Sequence, residues 1–118
     1  MTRADWDANM QRYMHRSDIA ADLDQVWEFA TTTFFNQWMN KDGRTLYAND
    51  DALLAAAPSP LHHAGLMYFH ELAQDEEGLM RENSLFGYAM ADFVMNYSIR
   101  NIDPVMTRPY FDQPGETA

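Results

Sequence analysis

Length, composition and charge narrow the classes of protein that this chain can represent. At 118 residues, with 47% apolar side chains and three tryptophans, it is long enough for one domain with a substantial core. The formal net charge of −10 opposes binding to phosphate, which argues against an ordinary nucleic-acid-binding protein. The sequence has no cysteine, which excludes disulfides, thiolate nucleophiles and zinc sites with cysteine ligands. The acidity has two readings: a solvated, soluble surface, or a surface that repels or imitates DNA.

No targeting segment or membrane segment is predicted. Residues 1–7 lack the positive stretch and following apolar run of a secretory signal. No run approaches 18 uninterrupted apolar residues, so a membrane partner is not expected. The composition is compatible with the cytosol.

The first half of the chain predicts two helices separated by a corner. Thr2 and Asp5 resemble a capping arrangement, which begins a first helix over about residues 3–15. Ser17 or Asp18 is available to cap the second helix, whose apolar residues recur at three-four spacing from Ile19 onward. This helix is expected to span about residues 18–40 and to end before the turn signal at 41–44.

The second half predicts a short helix and then a helical hairpin. Asn49 is expected to cap a short helix near residues 50–57. Ser59 as cap, with Pro60 at the first helical position, predicts a third helix over about 60–74. A fourth helix follows over about 77–100, with the acidic run 75–77 near its positive end. Gly65 and Gly87 fall inside these helices, which favours a close approach of the two helices across the hairpin.

Together these patterns predict an all-α fold. We expect a four-helix bundle, the short helix near 50–57 and an extended C-terminal arm after Asp103-Pro104. The predicted domain organisation is a helical bundle domain over residues 1–101 and an arm over residues 102–118.

Residues that could carry chemistry do not form a recognisable motif. His63 and His70 lie seven positions apart, whereas zinc-binding helices prefer spacings of three or four, so these histidines are interpreted as surface or interface groups. Asp92 lies within a strongly apolar helix and is interpreted as part of a polar stripe. Nucleophile elbows and phosphate-binding glycine loops are absent from the sequence. We therefore predict no enzyme, no cofactor and no metal site.

Two apolar features predict contacts with other chains. The large side chains of the second predicted helix, together with Phe93-Val94, exceed what one helix face can hold, which favours a subunit interface over a wide single-chain core. The predicted interface residues are Phe34, Phe35, Trp38 and Met39. The arm places an arginine and two aromatic residues where no helix is predicted, and such residues often anchor interfaces. The alternative is a floppy terminus without contacts, as most termini are. The predicted docking residues are Arg108, Pro109, Tyr110 and Phe111.

The run from Tyr13 to Ile19, Tyr-Met-His-Arg-Ser-Asp-Ile, resembles the N-terminal helices of head-to-tail adaptor (connector) proteins of tailed phages. Those proteins often carry a Leu-(Asn/His)-Arg-x-Asp-Leu corner before a long helix. The stretch from Ala57 to Phe93 is similar to their second helical hairpin, with its Ala-Pro start and acidic turn. Both stretches together cover about two thirds of the chain. Many adaptors carry a β-rich insertion between the second and third helices, and here only residues 41–58 fill that position.

The resemblance implies a structural protein of the virion neck. It implies a homo-oligomeric ring, a dodecamer, that lies beneath the portal protein, extends the DNA channel and presents a surface to a tail-side neck protein. DNA would pass through without specific binding, and the arm residues 108–111 would reach the portal. Before assembly such a protein would reside in the host cytoplasm. The alternative hypothesis is an acidic intracellular inhibitor that imitates DNA and blocks a host defence protein.

Overall fold

The computed structural model describes residues 1–100 and is all-α, as the sequence predicts. The arm residues 102–118, and the boundary placed after residue 101, lie outside the described residues. The described part contains five α-helices and one 3-10 turn, with these bounds: α1 Arg3–Ser17, α2 Leu23–Trp38, the 3-10 turn Gly43–Leu46, α3 Asp50–Ala56, α4 Pro58–Leu72 and α5 Glu76–Arg100.

The start of α2 differs from the prediction. The predicted second helix begins at residue 18, but Asp18 instead ends α1 in the left-handed conformation, with φ of 55°. The backbone N–H groups of Asp18 and Ile19 donate to the carbonyls of His15 and Met14, which satisfies the end of α1. The next helix begins only at Leu23, where the side chain of Asp22 accepts the N–H of Asp24.

The start of α4 also differs from the prediction. The helix begins at Pro58, so Ser59 is not its cap and Pro60 is not its first residue. Pro58 and Pro60 both lie in the first turn, where the backbone N–H groups have no partner within the helix and their loss is tolerated. Ala57 ends α3 by donating its N–H to Leu53 O at 2.9 Å, so α3 and α4 share a single connecting residue.

Helix α4 lies at the centre of the fold and packs against α1, α2, α3 and α5. The largest fully buried side chains are Trp6, Phe34, Phe69, Met10, Leu54, Leu61 and Val26. Trp6 of α1 also donates its indole N–H to the carbonyl of Leu61 at 3.3 Å. Removing aromatic and aliphatic surface of this size from water supplies the main stabilisation of the bundle.

Gly65 and Gly87 do not mark the close approach of α4 and α5 that the sequence suggested. A Cβ at Gly65 would lie 2.9 Å from Met10 Sδ and 3.1 Å from Trp6 Cζ2, so this glycine admits α1 and not the hairpin partner α5. A Cβ at Gly87 would meet no heavy atom within 4 Å. The expectation of a glycine-mediated approach between α4 and α5 is therefore wrong, because Gly65 faces another helix and Gly87 faces open space.

Candidate functional site

The predicted subunit-interface residues divide between the core and the surface of the chain. Phe34 is fully buried and Trp38 is 9% exposed, and both rings pack on Phe93 of α5 with centroids about 5 Å away, at 5.0 Å and 4.9 Å. Phe35 is half-buried, and Met39 is 86% exposed just after the end of α2. Phe34 and Trp38 therefore fill the core, and Met39 is the predicted interface residue that remains largely exposed. Their joint role as a subunit interface stays a prediction.

Two histidines of α4, His63 and His70, form pairs with carboxylates. His63 Nδ1 lies 2.8 Å from Glu82 Oε1 of α5, and Glu82 is nearly buried. His62, next to it, has its pKa lowered by burial and by the charge of His63. Among residues 1–100, no group of three or more His, Cys, Asp or Glu side chains is arranged to hold a metal ion.

A hydrogen-bonded chain joins three helices around His70. Its Nε2 atom lies 2.8 Å from the hydroxyl of Tyr13 in α1, and its Nδ1 atom lies 3.0 Å from Asp75 Oδ2. The other oxygen of Asp75 accepts the backbone N–H of Gly78 at 3.0 Å, which caps the start of α5. The arrangement has the order of an acid–base relay, but both ring nitrogens of His70 already have partners within the fold. It therefore serves to hold α1, α4 and α5 together.

A groove with apolar walls lies at one end of the bundle. We call it the end groove. Its walls come from the α3–α4 junction at residues 56–60, from Tyr47, and from Asp92, Phe93, Asn96 and Arg100 on the last turns of α5. It has a volume of about 430 Å³ and is open to solvent on one side. Its polar groups include the Asp92 carboxylate, which accepts a hydrogen bond from Asn96 at 3.3 Å. Apolar walls with few polar groups are typical of a site that takes a peptide or a small ligand.

The outer face of α5 carries an apolar stripe that nothing in the described chain covers. We call the outer stripe the set Leu85, Tyr88, Met95 and Ile99, which are 39%, 76%, 61% and 65% exposed. With Asp92 these positions follow a three-four spacing, the seam of a helix that packs on another helix. Asp92 is the single charged residue between positions 83 and 99. The interface prediction on this helix concerned Phe93-Val94 and omitted the stripe, although the three-four spacing and low charge of the stripe are present in the sequence.

The arm residues Arg108, Pro109, Tyr110 and Phe111 lie outside the described residues, and their docking role stays a prediction. No helix among residues 1–100 is long and apolar enough to cross a membrane. Comparison with protein-family models, with curated proteins and with solved structures finds no match for this chain. The resemblance to phage adaptors accordingly rests on the sequence motifs quoted above.

Proposed function

We propose that this chain is a non-enzymatic structural subunit of a homo-oligomeric assembly, namely a phage neck adaptor of the kind that its sequence resembles. In this proposal the subunits form a ring beneath the portal, the acidic surface disfavours contacts with DNA, and a tail-side neck protein binds the opposite end. The observation that carries the proposal is the outer stripe of α5, because a solvated helix face rarely exposes Tyr88, Met95 and Ile99 together, each by at least 61%.

The charge distribution supports a second copy of the chain as the partner of the outer stripe. A chain with net charge −10 meets a copy of itself at low electrostatic cost only where the surface is poor in carboxylates. The segment 83–99 of α5, with Asp92 as its single charge, is such a surface. At about 1.5 Å per residue, the stripe from Leu85 to Ile99 is about 21 Å long, enough for two heptads of helix packing.

Native mass spectrometry of the full chain, with Tyr88→Lys and Met95→Lys as variants, tests the assembly. We expect an oligomer for the unsubstituted chain and monomers for both variants, because a lysine replaces apolar contact surface and its ammonium group must lose water in the interface. Leu72→Lys is the matched control, since Leu72 is 49% exposed at the end of α4 and lies off the stripe. An oligomer that survives both stripe substitutions would remove the stripe from the interface.

The virion assignment is tested by quantitative mass spectrometry of purified particles. We expect this chain at a copy number close to that of the portal protein. Its absence from particles, together with abundance in infected cells, would contradict the adaptor and favour the acidic inhibitor.

The inhibitor remains the second candidate because carboxylates gather where the first turns of α1, α2 and α3 meet. Asp7, Asp24 and Asp50 all bind the side chain of Arg3, and Asp51 accepts its backbone N–H. If this acidic end imitates DNA, Asp24→Asn and Asp51→Asn would weaken binding of the host target, whereas Tyr88→Lys would not. The adaptor proposal predicts instead that Tyr88→Lys weakens assembly of the oligomer, whereas Asp24→Asn and Asp51→Asn do not.

A further inference from the structure

The end groove lies where the described chain leaves the bundle. Arg100, the last residue of α5, is part of the groove wall, and residues 101–118 continue from it. A segment that follows a groove directly in the chain is held close to that groove. The end groove therefore has a candidate occupant within the same chain.

We propose that residues 108–111 of the same chain bind in the end groove, with Arg108 paired to Asp92 and with Tyr110 and Phe111 against its apolar wall. This inference does not rest on the adaptor function, because it requires one chain only. It assigns the arm a site within its own subunit, in addition to any partner that the arm meets after assembly.

The length of the chain permits this contact. Seven residues, 101–107, separate Arg100 from Arg108, and an extended chain of that length reaches about 23 Å at about 3.3 Å per residue. The groove follows α5 over residues 89–100, about 17 Å at about 1.5 Å per residue. The connecting segment is therefore long enough to turn back and lay residues 108–111 along the groove. Pro104 disfavours the helical conformation at Asp103, so the sequence also opposes a straight continuation of α5.

Asp92, the one carboxylate in the groove wall, is complementary in charge to the arginine of the arm, whereas Arg100 in the same wall is not. Asp92 forms no ion pair with any basic side chain of residues 1–100, and its carboxylate has an Asn96 amide as its hydrogen-bond donor. Arg108 is the one basic residue among positions 101–118. A guanidinium group can bind a carboxylate in a bidentate manner, which fixes the register of the segment on the groove.

The apolar part of the segment matches the apolar part of the groove. Phe93, which forms part of the wall, is already packed on Trp38, and Tyr47 lies 6.4 Å from Trp38 between ring centroids, so the wall is backed by a rigid aromatic cluster. Pro58 and Pro60 add flat apolar surface on the opposite wall. Burial of Tyr110 and Phe111 supplies most of the stabilisation, because an exposed ion pair contributes little in water.

The tether makes weak binding sufficient. A tether of this length gives an effective concentration on the order of a millimolar, so a site with an intrinsic Kd near that value is about half occupied within the chain. The same segment on a separate chain, at micromolar concentration, would leave the groove empty. Binding within one chain is thus the arrangement that the linker favours.

Paramagnetic NMR on the full chain tests the proposal. The sequence has no cysteine, so Gln113→Cys provides one site for a nitroxide label just beyond Phe111. We expect the label to broaden the amide signals of Ala56, Ala57 and Ser59, on the groove wall contributed by the α3–α4 junction, as well as those of α5 residues 89–96. The broadening at 56–59 should disappear when Tyr110→Ser and Phe111→Ser are added, and should persist with the matched control Val105→Ser and Met106→Ser.

Charge reversal and a mixed sample complete the test. Arg108→Asp should reduce the broadening at residues 56–59, and combining it with Asp92→Arg should restore it. Equal broadening in the serine variant and the control would overturn the proposal, since it would reflect only the tether. Broadening that arises only when isotope-labelled chains are mixed with separate spin-labelled chains would also overturn it, by assigning the groove to the arm of a second copy.

Discussion

The hydroxyl of Tyr13 lies 2.8 Å from His70 Nε2 and connects α1 to the end of α4. The ring of Tyr13 also stacks on Phe69, with centroids 5.4 Å apart, so the same side chain makes an apolar and a polar contact. His70 is 7% exposed, and a buried imidazole that loses a partner retains the desolvation penalty of the unpaired nitrogen. The hydroxyl of Tyr13 therefore stabilises the fold in two ways. It forms a hydrogen bond, and it prevents a buried nitrogen of His70 from being left without a partner.

Replacing Tyr13 with Phe tests this contact. The substitution keeps the stacking on Phe69 and removes only the hydroxyl, so we expect the free energy of unfolding to fall by about 1–2 kcal/mol. Urea denaturation followed by circular dichroism measures the change. Tyr88→Phe is the control, since Tyr88 is 76% exposed on α5 and should change stability by less than about 0.5 kcal/mol. Equal effects of the two substitutions would show that the Tyr13–His70 bond adds nothing.

Gly78 and Gly87 lie in the same helix and should respond oppositely to alanine. A Cβ at Gly78 would collide with the Asp75 carboxylate and with the His70 ring, so the helix start and the His70 network would both have to shift. Relief of such overpacking in a tight site costs about 1–3 kcal/mol. A Cβ at Gly87 meets nothing within 4 Å, so Gly87→Ala should stabilise α5 by up to about 1 kcal/mol through helix propensity alone.

Thermal unfolding of the two alanine variants provides the measurement. We expect the melting temperature to fall for Gly78→Ala and to rise for Gly87→Ala, relative to the unsubstituted chain. Because the chemical change is the same at both positions, helix propensity cancels in the comparison. A stabilising Gly78→Ala would contradict the contact of that position with His70 and Asp75.

The sequence predicts the all-α class and the number of main helices, because apolar periodicity and capping residues report directly on helices. It misplaces the start of α2, since Asp18 suits either a helix cap or a left-handed helix end, and only the packing of Ile19 against the bundle selects between them. It places the start of α4 two residues late, since Pro58 and Pro60 are both acceptable in a first turn.

The candidate sites are less predictable because they depend on which helix faces which. Phe34 and Trp38 have the composition of an interface, but the position of α5 encloses them in the core. The end groove joins residues 47, 56–60 and 89–100, and no local pattern in the sequence brings these segments together. One partner of His70, Tyr13, is distant in sequence, and the other, Asp75, is only five residues away.

The pH dependence of stability should report on His62. Burial, with a smaller effect from the charge of His63, lowers the pKa of His62 in the folded chain. A histidine whose folded pKa is lowered contributes stability that is present above its unfolded value, near about 6.5, and that is lost as pH falls from there toward the folded pKa. His62→Gln removes this proton uptake, so we expect it to lose less stability than the unsubstituted chain between about pH 7 and pH 5.

Urea midpoints at several pH values measure the effect of His62→Gln. Gln11→Asn is the control, since Gln11 is exposed on α1 and has no titratable group, so its replacement should leave the pH dependence unchanged. An unchanged slope in His62→Gln would mean that His62 is protonated as readily in the folded chain as in the unfolded one.

Among the charged residues at the N-terminal end, Arg3 is the one whose replacement should lower the free energy of unfolding most. Its guanidinium lies 2.7 Å from Asp7, 2.9 Å from Asp24 and 3.1 Å from Asp50, and packs over the rings of Trp6 and Trp27. Burial lowers the pKa of Arg3, but the hydrogen bonds to Asp7 and Asp24 outweigh it, and the net pKa is raised. Since Asp24 and Asp50 are largely exposed, the ion pairs are discounted, and Arg3→Met should lower the unfolding free energy by about 1–2 kcal/mol.

The same variant separates the electrostatic and the packing contributions of Arg3. Methionine keeps an apolar stem over the two tryptophans, so the loss should shrink in about 1 M salt, where the screening length is about 3 Å. Arg3→Lys should have an intermediate effect, because one ammonium group cannot reach carboxylates on three helices with the geometry of a planar guanidinium.

Arg12→Met, on the exposed side of α1, is the control and should change stability by less than about 0.5 kcal/mol. If Arg3→Met matched Arg12→Met at low salt, the cluster would be a surface feature without energetic weight. A full loss that persists in high salt would instead assign the effect to contact with Trp6 and Trp27, and not to the carboxylates.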